Sequence, residues 1–301
     1  MKRKKRTTDA ASTASSTSST TSPLSTNTPS PEAPSSAPSS TPNTSNSNPN
    51  VPSSSSPEDS DPTPKNSAPP KYPFSKDPMP ANISEFDRMV AGKLYAAEAK
   101  DVAKIHIKGL VRCDNFNRIP LWMAPFKLLA LKKLVPSAKG KNFFVFSPFY
   151  CEYGVNIHVG KDCFANYGCT LLDVSPITME DNVWLGANVT IATPMHPFLA
   201  DERIAQDYPD GHHDLEYSKP VTIKKNVWVC SSATICGGVT VGENSIIAAG
   251  AVVTKDIPAN SIAAGVPARV IRQLDEDDRM DAWETYVKND IPLSRRDRKH
   301  I

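Results

Sequence analysis

The sequence lacks the features that would place it in a membrane or among nucleic-acid-binding proteins. Its 301 residues contain no uninterrupted apolar run of about 18 residues, the length that a membrane-spanning helix requires. The formal net charge is only +2, so no overall field attracts nucleic acid or an anionic membrane. No apolar stretch follows the basic N-terminus, as a secretory signal would require. We therefore expect a cytoplasmic protein without nucleic-acid or membrane partners.

The cysteines also lack any pattern of disulfides or zinc ligands. None of the six belongs to a Cys-x-x-Cys motif. Cys163 and Cys169 are six residues apart, as are Cys230 and Cys236, so each pair occupies equivalent positions in a repeat of six. These cysteines are predicted to be small buried side chains in a reducing compartment.

Large apolar side chains are almost absent from residues 1–80, where Ser, Thr, Pro and Asn dominate and 16 of the 28 prolines lie. Such a segment cannot bury enough apolar surface to offset the entropy lost on ordering. Residues 1–80 are therefore predicted to be a disordered tail. Its Lys2-Arg3-Lys4-Lys5-Arg6 start resembles a nuclear-localisation run, but short basic runs recur by chance, and a solvated basic end is the favoured interpretation.

The main feature that is present is a repeat with a period of six. A small or apolar residue lies four positions after each of its members, and the spacing also holds upstream with one slip of two residues. A short strand plus a corner forms one side of a triangular coil, so residues about 18 apart stack. A mainly β fold, a parallel β-helix, is predicted; the alternative is an ordinary β-rich domain that fits by chance. The members are Ile223, Val229, Ile235, Val241, Ile247 and Val253, and upstream Val159, Ala165, Leu171, Met179, Leu185 and Ile191.

A small helical cap is predicted between the tail and the coils, over residues 81–140. Ser84 is suited to cap the first helix, and apolar residues at helical spacing predict a second helix at 101–117 and a third at 123–134. The coils are expected over residues 141–272. Residues 273–301 should form a closing helix with Trp283 as its apolar anchor, followed by a solvated tail.

One long loop interrupts the repeat between Ile191 and Ile223, which are in frame but 32 residues apart. The loop carries His196 beside Pro197, and later His212 and His213. A loop of this length without regular structure, inside a compact repeat, is usually functional.

The motifs along this frame resemble those of the maltose and galactoside O-acetyltransferase group of hexapeptide-repeat acyltransferases. The resemblance covers residues 86–272 and implies a left-handed parallel β-helix. It also implies a homotrimer with sites between subunits, acetyl-CoA as co-substrate and no metal. The segments that carry it are Ala91-Gly92-Lys93-Leu94-Tyr95, Tyr153-Gly154-Val155-Asn156-Ile157-His158-Val159-Gly160, Phe164-Ala165-Asn166, Leu172-Asp173, His196-Pro197, Val227-Trp228, Val252-Val253-Thr254-Lys255-Asp256-Ile257-Pro258 and Gly265-Val266-Pro267-Ala268-Arg269-Val270.

The chemistry of acetyl transfer indicates which residue types such a site needs. A sugar hydroxyl is barely acidic at neutral pH, and an imidazole is a suitable base to remove its proton. The coenzyme thiolate leaves readily, so no covalent enzyme intermediate is required, and the oxyanion needs a donor such as a backbone N–H. His196, at the family's His-Pro, is the predicted general base of a direct transfer.

The resemblance assigns further roles residue by residue. Asn166 and Asp173 would contact the acceptor sugar, and Trp228 would form the site wall between subunits. Glu152 is also placed on the acceptor side, where it departs from the small polar residue of the galactoside enzymes. Basic side chains suit the phosphates of coenzyme A, although a solvated surface charge is the simpler interpretation of Lys255 or Arg272 taken alone. The predicted coenzyme-binding residues are Ser231, Ala249, Thr254, Lys255, Arg269 and Arg272.

Two other functions remain open from the sequence. A metal hydratase like the γ-class carbonic anhydrases uses the same coil but needs three histidines converging on one zinc ion. His158, His196 and either His212 or His213 would supply that number. A non-catalytic β-helix scaffold is the other alternative. The matching coenzyme positions favour the acetyltransferase.

Overall fold

A computed structural model describes residues 82–299 of the chain. The predicted tail of residues 1–80 and its basic start therefore lie outside the described residues. No helix in the described range is long and apolar enough to cross a membrane. The helices are α1 (Glu85–Val90), α2 (Lys100–Arg118), α3 (Ala124–Leu134), α4 (Ala200–Arg203), α5 (Ala282–Val287) and α6 (Arg295–Arg298), with 3-10 turns at Leu121–Met123, Pro136–Ala138 and Glu276–Asp278.

Short strands make up most of the remaining regular structure. In chain order they are β1 (Tyr95–Ala96), β2 (Phe143–Val145), β3 (Phe149–Cys151), β4 (Ile157–Val159), β5 (Cys163–Ala165), β6 (Cys169–Leu172), β7 (Ile177–Met179), β8 (Trp184–Leu185), β9 (Thr190–Ala192), β10 (Pro194–Met195), β11 (Gln206–Tyr208), β12 (Gly211–His213), β13 (Leu215–Ser218), β14 (Val221–Ile223), β15 (Trp228–Val229), β16 (Thr234–Cys236), β17 (Thr240–Val241), β18 (Ile246–Ile247), β19 (Val252–Val253), β20 (Ser261–Gly265) and β21 (Ala268–Gln273).

Successive strands fall on three sides in turn, which is the arrangement of a parallel β-helix, as predicted. The first side has the order β2-β5-β8-β15-β18-β20-β21, the second β3-β6-β9-β16-β19 and the third β4-β7-β14-β17. Neighbours pair in parallel except β20 and β21, which form an antiparallel pair where the chain leaves the coil. We call the edge between the first and second sides the first corner, that between the second and third sides the second corner, and the remaining edge the third corner.

The predicted inward positions form the core of this coil. All six members of the downstream series, from Ile223 to Val253, have no exposed surface, and the upstream members are at most 2% exposed. Downstream turns contain 18 residues, as in the pairing of Trp228 with Ile246. Upstream turns contain 20, as in the pairing of Phe164 with Trp184. The shift of two residues in the sequence repeat therefore corresponds to two extra residues at the second corner of each upstream turn.

Asparagines stabilise the third corner. Asn182, Asn226, Asn244 and Asn260 all have positive φ angles, between 55° and 61°, which Asn tolerates better than other side chains with a Cβ. Their side-chain amides donate from one turn to the next over 3.2, 2.9 and 2.8 Å. The ladder explains why Asn recurs at this corner in the sequence.

The cap packs on the second corner of the first turn. Ser84 caps α1 as predicted, because its hydroxyl accepts from the Asp87 backbone N–H. Helix α2 approaches the coil at Gly109, where a Cβ would lie 2.1 Å from the Glu152 carbonyl oxygen. Only glycine permits this approach, which brings the cap against the backbone beside Glu152.

Two expectations about the other segments were wrong. The loop between Ile191 and Ile223 is not structureless, since it contains α4 and the strands β10 to β13. Trp283 does not anchor the closing helix in the core but is 74% exposed. The C-terminal segment is instead held by ion pairs, among them Arg296 with both Asp275 and Asp278. Charge rather than apolar burial fixes this end of the chain.

The cysteines are all free, as predicted. Four are buried as predicted, but the prediction is wrong for Cys230 and Cys236, which are partly exposed.

Candidate active site

Three successive turns bring the candidate site residues to the second corner. Glu152 follows β3, Asp173 follows β6, and the long excursion follows β9, so all three segments leave the second side at its same edge. The two extra residues of each early turn lie here as well. The corner is therefore the most elaborate part of the coil, and the cap covers it.

A small sheet fixes the excursion to the cap. Strand β13 pairs with β10 on one side, joining Met195 to Tyr217, and with β1 of the cap on the other, joining Tyr95 to Glu216. Ser218 adds a hydrogen bond, because its buried hydroxyl donates to the Met89 carbonyl over 2.8 Å. His196, which directly follows β10, is thereby positioned on a backbone that is paired rather than free.

The sheet brings His196, Glu216 and Tyr95 into a line of contacts, which we call the relay. The Nδ1 atom of His196 lies 3.6 Å from Oε1 of Glu216. The other carboxylate oxygen of Glu216 accepts from the Tyr95 hydroxyl over 2.8 Å. Burial, and then the neighbouring Glu216, raise the pKa of Tyr95 far above its usual range, so the phenol stays a neutral donor. The His196 ring is about half exposed, at 49%, and a reactant can reach it.

Sequence reasoning missed Glu216 and treated Tyr95 only as part of a motif. The two residues are 121 positions apart, and no local spacing joins them. Only the pairing of β1 with β13 brings them together.

The Asp173 side chain stabilises the turn that surrounds it. Its carboxylate is fully buried and accepts from the backbone N–H groups of Glu152, Tyr153 and Asn156 over 3.1, 2.9 and 3.3 Å. Burial raises its pKa to about 6, while these donors oppose the rise. The predicted contact of Asp173 with the acceptor stays a prediction; the structure gives the residue a role in orienting the Glu152 backbone.

Glu152 carries a carboxylate that no described residue pairs. Burial, the neighbouring Asp173 and then Glu216 raise its pKa to about 7. Within residues 82–299, no cation or hydrogen-bond donor contacts its side-chain oxygens. The carboxylate is thus available to a ligand and changes its charge near neutral pH.

An open cleft lies between the cap and the excursion, and Pro197, which follows His196, lines it. Its volume is about 690 Å³, and its walls include Gly92 and Leu94 of the cap and Pro197, Tyr208 and Tyr217 of the excursion. The cleft offers apolar and hydroxyl-bearing surface beside the segment that carries His196.

The remaining predicted residues lie elsewhere. Asn166, Ser231 and Ala249 are at the first corner, whereas Thr254 and Lys255 are on the second corner, above the excursion. Strands of the second side have two to four residues, so about 10 Å separates the two corners. One chain does not bring all the predicted residues together.

Trp228 points outward from the first side and is 49% exposed. It belongs to a row of outward positions on the first side, in which each residue pairs through its backbone with the next. The row consists of Phe144, Phe164, Trp184, Trp228, Ile246 and Ile262. About half of the Trp228 side chain is accessible, and its place in a site wall between subunits stays a prediction.

The two candidate arginines differ in their contacts. Arg272 forms a two-point ion pair with Asp278, with N–O distances of 2.5 and 2.7 Å, which holds the pKa of that aspartate well below its usual range. Arg269 is exposed and donates to the Ala268 carbonyl. Arg269 is therefore the more available of the two for a phosphate.

The histidines do not converge. His158 lies in β4 on the third side, where burial lowers its pKa, while His212 and His213 pair with Asp207 and Asp210 in the β11–β12 hairpin. Across residues 82–299, no three side chains of His, Cys, Asp or Glu are grouped to hold a metal ion. The geometry required by the hydratase alternative is not found among these histidines.

The sequence is similar to a known protein family and to known proteins. Residues 220–255 match the family model described as bacterial transferase hexapeptide (six repeats). The chain is 35% identical over 210 residues to a galactoside O-acetyltransferase of Escherichia coli, covering 68% of this chain and 97% of the relative. A putative acetyltransferase of Saccharomyces cerevisiae is 37% identical over 193 residues, covering 64% and 94%.

Solved structures give the same picture. A maltose O-acetyltransferase from Clostridium difficile superposes with a TM-score of 0.59 at 39% identity, covering 64% of this chain and 99% of that one. A galactoside acetyltransferase in complex with coenzyme A has a TM-score of 0.56 at 35% identity, covering 65% and 94%.

Proposed function

Because the chain belongs to the galactoside and maltose O-acetyltransferase group of hexapeptide-repeat proteins, we propose that it transfers the acetyl group of acetyl-CoA to a hydroxyl of a small sugar, with His196 as general base. Relatives named for the galactoside and maltose reactions support this acceptor class. A complex of one relative with coenzyme A supports the donor.

The observation that carries the proposal is the relay of His196, Glu216 and Tyr95. A carboxylate near Nδ1 favours the tautomer that leaves Nε2 free to accept a proton, and it stabilises the imidazolium that results. The 3.6 Å separation of His196 from Glu216 is long for a hydrogen bond, but such contacts often shorten when substrate binds. Tyr95 keeps Glu216 in place from the buried side.

The reaction then follows in one transfer. His196 removes the proton of the sugar hydroxyl as the oxygen attacks the thioester carbonyl, and a new C–O bond forms. The tetrahedral oxyanion collapses, the C–S bond breaks, and the proton passes from His196 to the departing thiolate. Sugar ester and free coenzyme A leave, so atoms and charge balance without an acetylated enzyme.

The separation of the two corners supports a site shared between chains. The second corner carries His196, whereas Ser231 and Ala249 lie at the first corner, about 10 Å away along the second side. Bringing the second corner of one chain against the first corner of another would complete the coenzyme groove. The outward apolar ladder around Trp228 and Trp184 suits burial between copies, and we propose a homotrimer.

We assign Glu152 to the acceptor side of this site. Its carboxylate has no partner within residues 82–299, and Glu216 of the relay is close enough to influence its pKa. A sugar hydroxyl donating to it would supply the missing contact. Asn166, which belongs to the other corner, would reach the same sugar from the neighbouring chain.

The test is an acetyl-CoA assay with a thiol-detecting reagent and a panel of sugars. His196→Ala should lower kcat by about 10²–10⁴-fold, the usual contribution of a positioned base, with the KM for acetyl-CoA nearly unchanged. His212→Ala, in the hairpin of the same excursion, is the matched control and should keep full activity.

Two outcomes would contradict the mechanism. One is near wild-type kcat in His196→Ala at saturating sugar. The other is an acetylated enzyme that accumulates when the acceptor is left out. Absence of activity with every sugar, in protein that still binds coenzyme A, would favour the scaffold alternative.

A further inference from the structure

Helix α3 places a lysine on its buried face, beside Leu131 and Leu134. It buries Lys127, which is 6% exposed and donates through Nζ to the carbonyls of Phe116 and Ile119 over 2.9 and 2.7 Å. The ammonium also lies 4.2 Å from the centre of the Phe116 ring. The largest apolar side chains of this region face outward instead. A lysine that caps the end of α2 thus occupies the inner side of α3.

Three large apolar side chains in and just before α3 are exposed. Trp122, Phe126 and Leu129 are 82%, 61% and 54% exposed. Phe126 and Leu129 are three residues apart in α3 and so share one face of the helix. Trp122 lies in the 3-10 turn Leu121–Met123, which ends at the non-helical backbone of Met123 just before α3. We call these three residues the α3 stripe. Leu121 and Leu128 flank it and are also exposed, at 53% and 44%.

The sequence on both sides of the stripe is rich in basic residues. Residues 100–141 contain ten lysines and arginines but only two aspartates and no glutamate, whereas the whole chain has a net charge of only +2. Lys133 continues the line of the stripe by one further turn, and Lys132 precedes it. The overall net charge of +2 suggested no attraction to a membrane. It does not reveal the local excess of positive charge in this segment.

Apolar surface bordered by lysines fits an anionic lipid surface better than another protein copy. Helices that lie in a bilayer interface combine Trp, Phe and Leu with lysines, and those lysines reach anionic headgroups. A second copy would bring the same positive charge against itself.

We propose that the α3 stripe inserts into the surface of an anionic bilayer and docks the protein there. The helix lies parallel to the membrane, with Trp122 and Phe126 among the acyl chains and Lys132 and Lys133 at the phosphates. The stripe lies on α3, apart from the relay of His196, so docking does not depend on the proposed reaction. Several copies in one assembly would strengthen a weak individual contact.

The test is co-sedimentation of the full-length protein with vesicles of phosphatidylcholine, with and without an equimolar amount of phosphatidylserine. Wild type should bind the phosphatidylserine vesicles, and added salt should release it. Trp122→Ser with Phe126→Ser should lower the bound fraction by about 10-fold or more, and so should Lys132→Glu with Lys133→Glu. Trp283→Ser removes an equally exposed aromatic residue from α5 and should leave binding unchanged.

Each variant is checked by circular dichroism and by its mass in solution. The proposal is overturned if wild type does not bind, if it binds phosphatidylcholine alone equally well, or if the Trp122/Phe126 variant binds like wild type. A change of mass in that variant would identify the stripe as a protein interface and overturn it. Binding that appears only after removal of residues 1–81 would mean that the chain's own N-terminal segment covers the stripe, and would overturn it too.

Discussion

At the scale of single residues, the Tyr95 hydroxyl can be removed without disturbing the packing of its ring. Tyr95→Phe leaves a buried aromatic residue but deletes the 2.8 Å hydrogen bond to Glu216. Hydrogen bonds to charged groups contribute about 1.5–3 kcal/mol. If that interaction orients the relay, kcat should fall about 10-fold, with the KM for acetyl-CoA unchanged.

Tyr153→Phe is the control for this prediction, because it removes a hydroxyl from another buried tyrosine of the same cluster. Steady-state kinetics of the two variants provide the comparison. Equal kcat values for Tyr95→Phe and Tyr153→Phe would mean that Tyr95 only packs.

Glu152 links stability to pH. Its pKa in the folded protein, about 7, lies above the ordinary value of 4.5. As pH rises from 4.5 to 7, the unfolded chain loses this proton first, so the carboxyl group lowers the stability of the fold over that window. Glu152→Gln removes the charge. The variant should therefore unfold with a free energy about 1–2 kcal/mol higher at pH 8, but with little change at pH 4.

Denaturant unfolding at the two pH values measures this effect. Glu98→Gln, at an exposed position of the cap, should change the free energy of unfolding at neither pH. Because Glu152 is proposed to bind the acceptor sugar, Glu152→Gln should also raise the KM for the sugar. A variant that is less stable than wild type at pH 8 would show that the carboxylate is paired in solution.

At the scale of elements, the packing of α2 on the coil depends on Gly109. Alanine favours a helix over glycine by about 1 kcal/mol, so Gly109→Ala would stabilise a helix that lacked this contact. Here the added Cβ meets the Glu152 carbonyl oxygen at 2.1 Å, and the helix must move away. We expect a net loss of about 1–3 kcal/mol and a lower kcat, because the shift reaches the second corner.

Thermal unfolding and the acetyl-transfer assay test this expectation. Asn115→Ala, on the exposed face of the same helix, should change stability by no more than about 0.5 kcal/mol. A Gly109→Ala protein more stable than wild type would mean that α2 is not held at this distance.

At the scale of the whole molecule, the proposed assembly predicts that inactive chains can complement one another. His196→Ala lacks the base, and Ser231→Trp fills the exposed first-corner position proposed for the coenzyme. Each variant alone should be inactive. In mixed trimers, a site that combines His196 of one chain with the intact first corner of the other should work. Random mixing would restore about a quarter of the sites.

The measurement is the activity of equimolar co-expressed chains, together with a mass of three times the 32.7 kDa chain. No recovery in mixed assemblies would place the whole site within one chain, and a fully active monomer would rule out the shared site.

The sequence by itself determined the coil, because a six-residue period makes every inward position apolar and each one is buried in the structure, from Val159 to Val253. It also predicted helices α1 to α3 and pointed to His196, since periodicity, capping and a break in the repeat are local signals. The tertiary structure alone decided the partners of His196: Glu216 and Tyr95 meet because β13 pairs with β1 across 121 residues. It also decided the exposure of Trp283 and the inward turn of Lys127, because which face of a short helix is buried depends on the surface it packs against.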